Sequence, residues 1–125
     1  MLSLLDVGTL WTWGYGANGR LGHGDEEDVW QPKQITSMSG AFVVQVACGG
    51  YHTAAITGEK LVCYQETNII DDGTLYMCGW NQCGQCGVSD NAESVFTPRL
   101  VDSLAGKEVV GVACGEQHTI ALIIN

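Results

Sequence analysis

Cys83 and Cys86 form a C-x-x-C pair in CGQC, and Cys78 extends it to C-x4-C-x2-C, a spacing shared by redox dithiols and zinc ligands. Redox chemistry needs a thiolate, usually stabilised by a helix N-terminus, and a structural zinc needs four ligands. Neither a helix start nor a fourth ligand accompanies the run. Cys86 also answers Leu21 in an internal repeat set out below, so these thiols read as small buried apolar groups, free and inert.

GYGANG, residues 14–19, matches the G-x-G-x-x-G pattern that cradles dinucleotide phosphates and follows an expected strand. That chemistry also requires a helix whose N-terminus faces the pyrophosphate and an acidic residue about 20 positions on. RLGHGDEED opens no helix, and the matching stretch GWNQCG lacks the middle glycine, so this is read as a repeat turn. His52 and His118 recur in matching turns, followed by Thr53 and Thr119. A catalytic base is not duplicated in each repeat, whereas a histidine bonding backbone in each hairpin is. Both ring nitrogens are therefore expected to pair with neighbouring turns. His23 sits in the acidic run GHGDEED, which lacks EF-hand spacing and reads as a solvated loop. Trp11, Trp13, Trp30 and Trp80 fall at repeat positions and read as packing between units rather than a ligand cage. No nucleophile with a partner base stands out, and no metal or cofactor is expected.

The elements that must position these residues come from duplication. VVQVACGGYHTAAI, residues 43–56, returns as VVGVACGEQHTIAL, residues 109–122, with 9 of 14 positions identical at a spacing of 66. GTLWTWGYGANGRLG, residues 8–22, returns as GTLYMCGWNQCGQCG, residues 73–87, at a spacing of 65. Gly14, Gly19 and Gly22 are answered by Gly79, Gly84 and Gly87, and Gly49 by Gly115. VWQPKQI and VFTPRLV pair Pro32 with Pro98 and Trp30 with Phe96. Together with His52 and His118, these glycines are taken as the structural positions of the repeat.

Each unit reads as short strands. Residues 43–48 and 109–114 alternate with both faces largely apolar, which describes a strand covered on both sides. Gly49–Gly50 and Gly115 turn the chain into HTAAI and HTIAL, and Asp72–Gly73 is a favoured hairpin pair before LYMCG. Four strands per unit make a blade that cannot bury both faces alone, so such units stack radially. Repeat one spans about 8–57 and repeat two about 71–123, with one complete blade over 43–101 between half-blades. GEKLVCYQETNII, residues 58–70, is an inserted hairpin loop and is expected to be mobile; deleting those 13 residues from the 65-residue spacing leaves 52, close to the roughly 50 of kelch repeats.

LWTWGYGANGRLGHGD, WQPKQI and VVQVACGGYHTAAI resemble the repeat of the regulator of chromosome condensation family, over nearly the whole chain. The resemblance implies an all-β fold: a partial β-propeller of about two four-stranded antiparallel blades, within one domain over 1–125, where complete members have seven blades. Cys78, Cys83 and Cys86 depart from the pattern where the first copy has Trp13, Asn18 and Leu21.

Of the 125 residues, 5 are Lys or Arg and 14 Asp or Glu, a net charge of −9 that disfavours binding phosphate backbones. No apolar run reaches the roughly 18 residues of a membrane span. MLSLLDVG lacks the basic start of a secretory signal, so the chain is expected inside the cell, cytoplasmic or nuclear, with its six cysteines reduced. The expected function is a non-enzymatic protein–protein interaction module. The alternative implied by the resemblance is part of a guanine-nucleotide exchange factor for a Ran-like small GTPase. Open terminal half-blades imply self-association that completes the ring, since repeat stacks need about three units.

Overall fold

A computed structural model describes residues 8–62, 67–88 and 90–124, and for residues 59–72 it describes backbone pairing alone. Among the described residues, eight strands form three antiparallel sheets in chain order. β1 (Trp11–Gly14) pairs with β2 (Val29–Gln34). β3 (Phe42–Cys48), β4 (His52–Val62), β5 (Thr67–Trp80) and β6 (Ser94–Leu100) form the one four-stranded blade. β7 (Glu108–Cys114) pairs with β8 (Thr119–Ile124). By repeat position, β1 and β2 correspond to β5 and β6, and β7 and β8 to β3 and β4.

The two-residue period of β4 explains why the central blade is buried on both sides. Ala54 and Ile56, opposite Met77 and Leu75, join Val109 and Val112 of the following sheet in one apolar cluster. Ala55, opposite Tyr76, turns the other way onto Leu10, Ile35 and Met38 of the preceding sheet. A strand sandwiched in this way must be apolar at consecutive positions, and HTAAIT, residues 52–57, is buried throughout. Single 3-10 turns at Ala17–Gly19, Thr36–Met38 and Asp102–Leu104 are the helical segments among the described residues.

Three expectations change. β3 is not covered on both sides: Gln45, Val46 and Cys48 are exposed, because β3 is the first strand of its sheet and its far edge meets no strand among the described residues. Asp72–Gly73 does not close a hairpin; both lie within β5, and Gly73, at φ +68°, sits where the β4–β5 register shifts between Thr57 and Glu59. The run 58–70 is not a loop over its whole length, since β4 and β5 continue through it with Glu59 opposite Ile70 and Val62 opposite Thr67. Residues 63–66 lie outside the described residues.

Candidate interaction site

The seam between the first sheet and the central blade is built from the glycine turns. Gly14, Gly19, Gly22, Gly79, Gly84 and Gly87 all have positive φ. At Gly19 the need is also spatial: an added Cβ would stand 2.8 Å from both the Cα and a ring carbon of Phe96. Gly22 packs against Ile35, Cys78 and Pro98. The Thr53 hydroxyl donates to the Arg20 carbonyl at 2.7 Å, and the Cys78 thiol lies 3.8 Å from the same oxygen.

The next seam repeats this chemistry one unit along. Thr119 donates to the Gln85 carbonyl at 2.7 Å. His52 Nε2 lies 3.2 Å from the His118 carbonyl and 3.0 Å from Thr119 Oγ1. A carbonyl only accepts, and the Thr119 proton is committed to Gln85, so Nε2 carries the hydrogen. Nδ1 is then a bare, buried acceptor, and it has no partner. The expectation that both nitrogens pair is therefore corrected: Gly49 lies against the ring on that side, its Cβ position blocked by Cε1 and Nδ1, which leaves no room for a donor. Burial lowers the His52 pKa from 6.5, opposed in part by the bond to the His118 carbonyl. His118 lies over Gly115 in the same way, yet its side chain is exposed.

Cys86 is buried and its thiol points at the carbonyls of Gly79 and Trp80, while Cys83 is exposed. Burial pushes both Cys78 and Cys86 up to about 12, far from a reactive thiolate. No group of three metal-ligating side chains occurs among the described residues. Cys48, expected on a buried strand, is exposed and Cys114 half-buried. The tryptophans are corrected too. Trp11, Trp13 and Trp30 are exposed, Trp30 by 90%, because β1 and β2 have no preceding sheet among the described residues to pack on. Among the described residues, Trp80 is the tryptophan that meets an aromatic neighbour, Tyr51, edge-on at 5.2 Å between centroids.

Along the rim formed by these turns runs a ladder that pattern reading missed. The Arg20 guanidinium lies 4.8 Å from the Tyr15 ring centre and 4.9 Å from that of Tyr51, which in turn meets Trp80. Arg20 is locked there by donating to the carbonyls of Ala17 and Gly50 and to Asn18 Oδ1. The second copy has Gln85 in place of Arg20, so the repeat itself hides the residue; the signal was an arginine between two tyrosine-bearing turns. Beside the ladder, the acidic loop is tied down by its own carboxylates: Asp28 accepts from the Gly16 amide at 2.8 Å and Glu26 from that of Asn18 at 3.0 Å. His23 Nε2 meets Thr12 Oγ1 at 2.9 Å.

The profile of the regulator of chromosome condensation (RCC1) repeat matches residues 7–56 and 72–122. The chain belongs to this family. It is 36% identical over 120 residues to human E3 ubiquitin-protein ligase HERC2, covering 96% of this chain and 2% of that protein. It is 37% identical over 121 residues to the ultraviolet-B receptor UVR8 of Arabidopsis thaliana, covering 97% of this chain and 24% of the receptor. Among solved structures it superposes on human WBSCR16 with a TM-score of 0.75 at 25% identity, covering 94% of this chain and 27% of that one. Prp20p from Saccharomyces cerevisiae gives 0.71 at 22% identity with the same coverage, a likeness of fold. The chain thus spans about a quarter or less of the relatives it matches, and its three sheets are a partial RCC1-type β-propeller. No helix among the described residues is long and apolar enough to cross a membrane.

Proposed function

We propose that this chain is a non-enzymatic protein–protein interaction module whose contact surface is the rim carrying Tyr15, Arg20, Tyr51 and Trp80 beside the acidic loop 25–28. The observation that carries the reading is the pre-set ladder: aromatic and arginine side chains supply most of the affinity at protein interfaces, and here they are held in place before any partner arrives. The adjoining carboxylates favour a partner with a basic patch and speed its encounter. The repeats reach that partner as an RCC1-type arc joined to further repeats, by self-association or within a larger assembly. Its five described cysteines are free thiols, in keeping with a reducing compartment, cytoplasmic or nuclear.

A second reading, part of an exchange factor for a Ran-like GTPase, draws on the shared fold with Prp20p, whose binding to Gsp1p and histones is described with its structure. That likeness transfers no exchange residue. One experiment separates the readings: titrate the chain with a Ran-like GTPase and with a histone, recording binding by calorimetry and release of labelled GDP. Binding that is salt-sensitive and weakened about tenfold or more by Tyr51→Ala supports the module. Binding of both proteins unchanged by Tyr51→Ala and by combined Asp25→Asn and Glu26→Gln overturns the rim assignment. GDP release by this chain alone promotes the second reading.

A further inference from the structure

The rim differs between the two copies of the repeat. In the first, the Arg20 guanidinium lies 4.8 Å from the Tyr15 ring centre and 4.9 Å from that of Tyr51. In the second, Trp80 stands at the place of Tyr15, and Gln85 at that of Arg20. Gln85 is 4% exposed and accepts from the Cys83 amide at 2.9 Å, so it is held within its own turn. Trp80, half-buried, meets Tyr51 edge-on, and no cation lies over it among the described residues. Nor has the chain a further guanidinium to offer. Its two arginines are both engaged, Arg20 with the tyrosines and Arg99 with Asp90 at 2.6 Å.

Directly after Trp80 in the chain, Asn81 and Gln82 line a cleft of about 390 Å³, with Asn91 and Glu93 among the residues facing them. One difference between the copies shapes it. Gly16, the first-copy counterpart of Asn81, lies against the loop that follows, where a Cβ would run into the Glu27 carbonyl. Asn81 instead spans the corresponding gap, accepting from the Cys86 amide at 2.9 Å and donating to the Ala92 carbonyl at 2.8 Å. At 5% exposure it is fixed, and the Asp90–Arg99 pair ties down the loop beyond. The cleft is therefore set before anything enters it. Gln82, Asn91 and Glu93 are exposed, and their side chains have no hydrogen-bond partner among the described residues.

A planar cation satisfies the indole and the cleft together. A guanidinium lays its face on an indole, the best aromatic partner for a cation, while its edge pairs with a carboxylate and donates to carboxamide oxygens. An ammonium is a point charge without that fork, so it cannot stack flat and pair through two bonds at once. The net charge of −9 draws a cation in and disfavours an anion in the same place. We propose that Trp80, with the cleft of Asn81, Gln82, Asn91 and Glu93, receives an arginine side chain from a partner protein. That guanidinium takes the place over Trp80 that Arg20 takes over Tyr15, and Glu93 supplies its counter-charge. This rests on the reading of the chain as an interaction module and gives the partner its chemistry: an exposed arginine rather than a lysine patch.

The test titrates the full 125-residue chain at low salt with three glycine–serine peptides that carry two arginines, two lysines or two citrullines. The readout is the indole N–H resonance of Trp80, assigned by its absence in Trp80→Phe. The arginine peptide is expected to shift that resonance and to bind about tenfold more tightly than the lysine peptide, with the uncharged citrulline peptide weaker again. Glu93→Gln, at an exposed position, should weaken the arginine peptide about fivefold or more. Trp80→Phe should keep part of the affinity that Trp80→Leu loses, with far-UV circular dichroism as the check on folding. If a Trp80 variant does not fold, Glu93→Gln and the peptide ranking decide. Equal binding of the arginine and lysine peptides, an affinity untouched by Glu93→Gln, or no saturation up to roughly 5 mM overturns the proposal. A protein partner whose binding falls with Tyr51→Ala, together with peptides that show no preference for arginine, sinks this inference and leaves the interaction module standing.

Discussion

His52 and His118 occupy the same place in two copies of one hairpin, each ring over its glycine, Gly49 or Gly115. One is buried and the other exposed. His52 has the following hairpin to receive its Nε2 proton, and His118 has no such hairpin among the described residues. The same contrast holds for Gly19, pressed on Phe96, and Gly84, whose Cβ position is open. Equal sequence therefore carries unequal energy: a repeat residue contributes according to whether its neighbouring unit is in place.

The largest effect expected from this contrast is at the glycines. Gly19→Ala adds a Cβ against backbone in a left-handed conformation, and should cost about 3 kcal/mol. Gly84→Ala carries the left-handed penalty alone, about 1 kcal/mol. Urea unfolding of the two variants checks the difference, and equal losses would break the comparison.

Next in size, His52→Ala should cost about 2 kcal/mol, from the lost packing of a buried ring and the lost bond to the His118 carbonyl, which keeps only the Gly115 amide as donor. His118→Ala should stay within about 0.5 kcal/mol in the dispersed chain. Urea unfolding that finds equal losses at the two histidines would break the comparison.

The threonines sharpen the comparison from the other side. Thr53→Val removes one hydroxyl bond of 2.7 Å to the preceding turn, whereas Thr119→Val removes the same bond and also the oxygen 3.0 Å from His52 Nε2. Thr53→Val should cost about 1 kcal/mol and Thr119→Val about 1.5 kcal/mol. Chemical denaturation that finds the two losses equal would show that the His52 contact adds nothing to the second seam.

Acid sensitivity is the smallest expected effect. Burial lowers the folded pKa of His52 below 6.5, so in mild acid the unfolded chain binds more protons than the folded one. Stability from this group is full above pH 6.5 and falls as the pH drops below it. Thermal melts between pH 7.5 and 5.5 should show a shallower decline for His52→Gln than for the wild type, and an unchanged decline would refute the buried neutral ring.

Much of this was legible in residue order. The doubled VACG…HT hairpin marked the β3–β4 and β7–β8 pairs, and Pro32 and Pro98 marked β2 and β6. Asp72–Gly73 misled because a turn dipeptide is equally at home where a strand register shifts, and the pairing of residues 59–62 with 67–70 carries both strands past it. Trp11, Trp13 and Trp30 misled because an aromatic strand position says that a surface wants cover, not that cover is present.

Sequence alone determined the repeat, its strands and the glycines at its turns, because these depend on alternation and on local backbone freedom, both written in neighbouring residues. Tertiary structure decided which copy of each motif is energetically engaged. The partners of His52, Gly19 and Arg20 lie in other turns, up to 77 residues from Gly19 in the case of Phe96, and no local pattern specifies whether such a partner stands there.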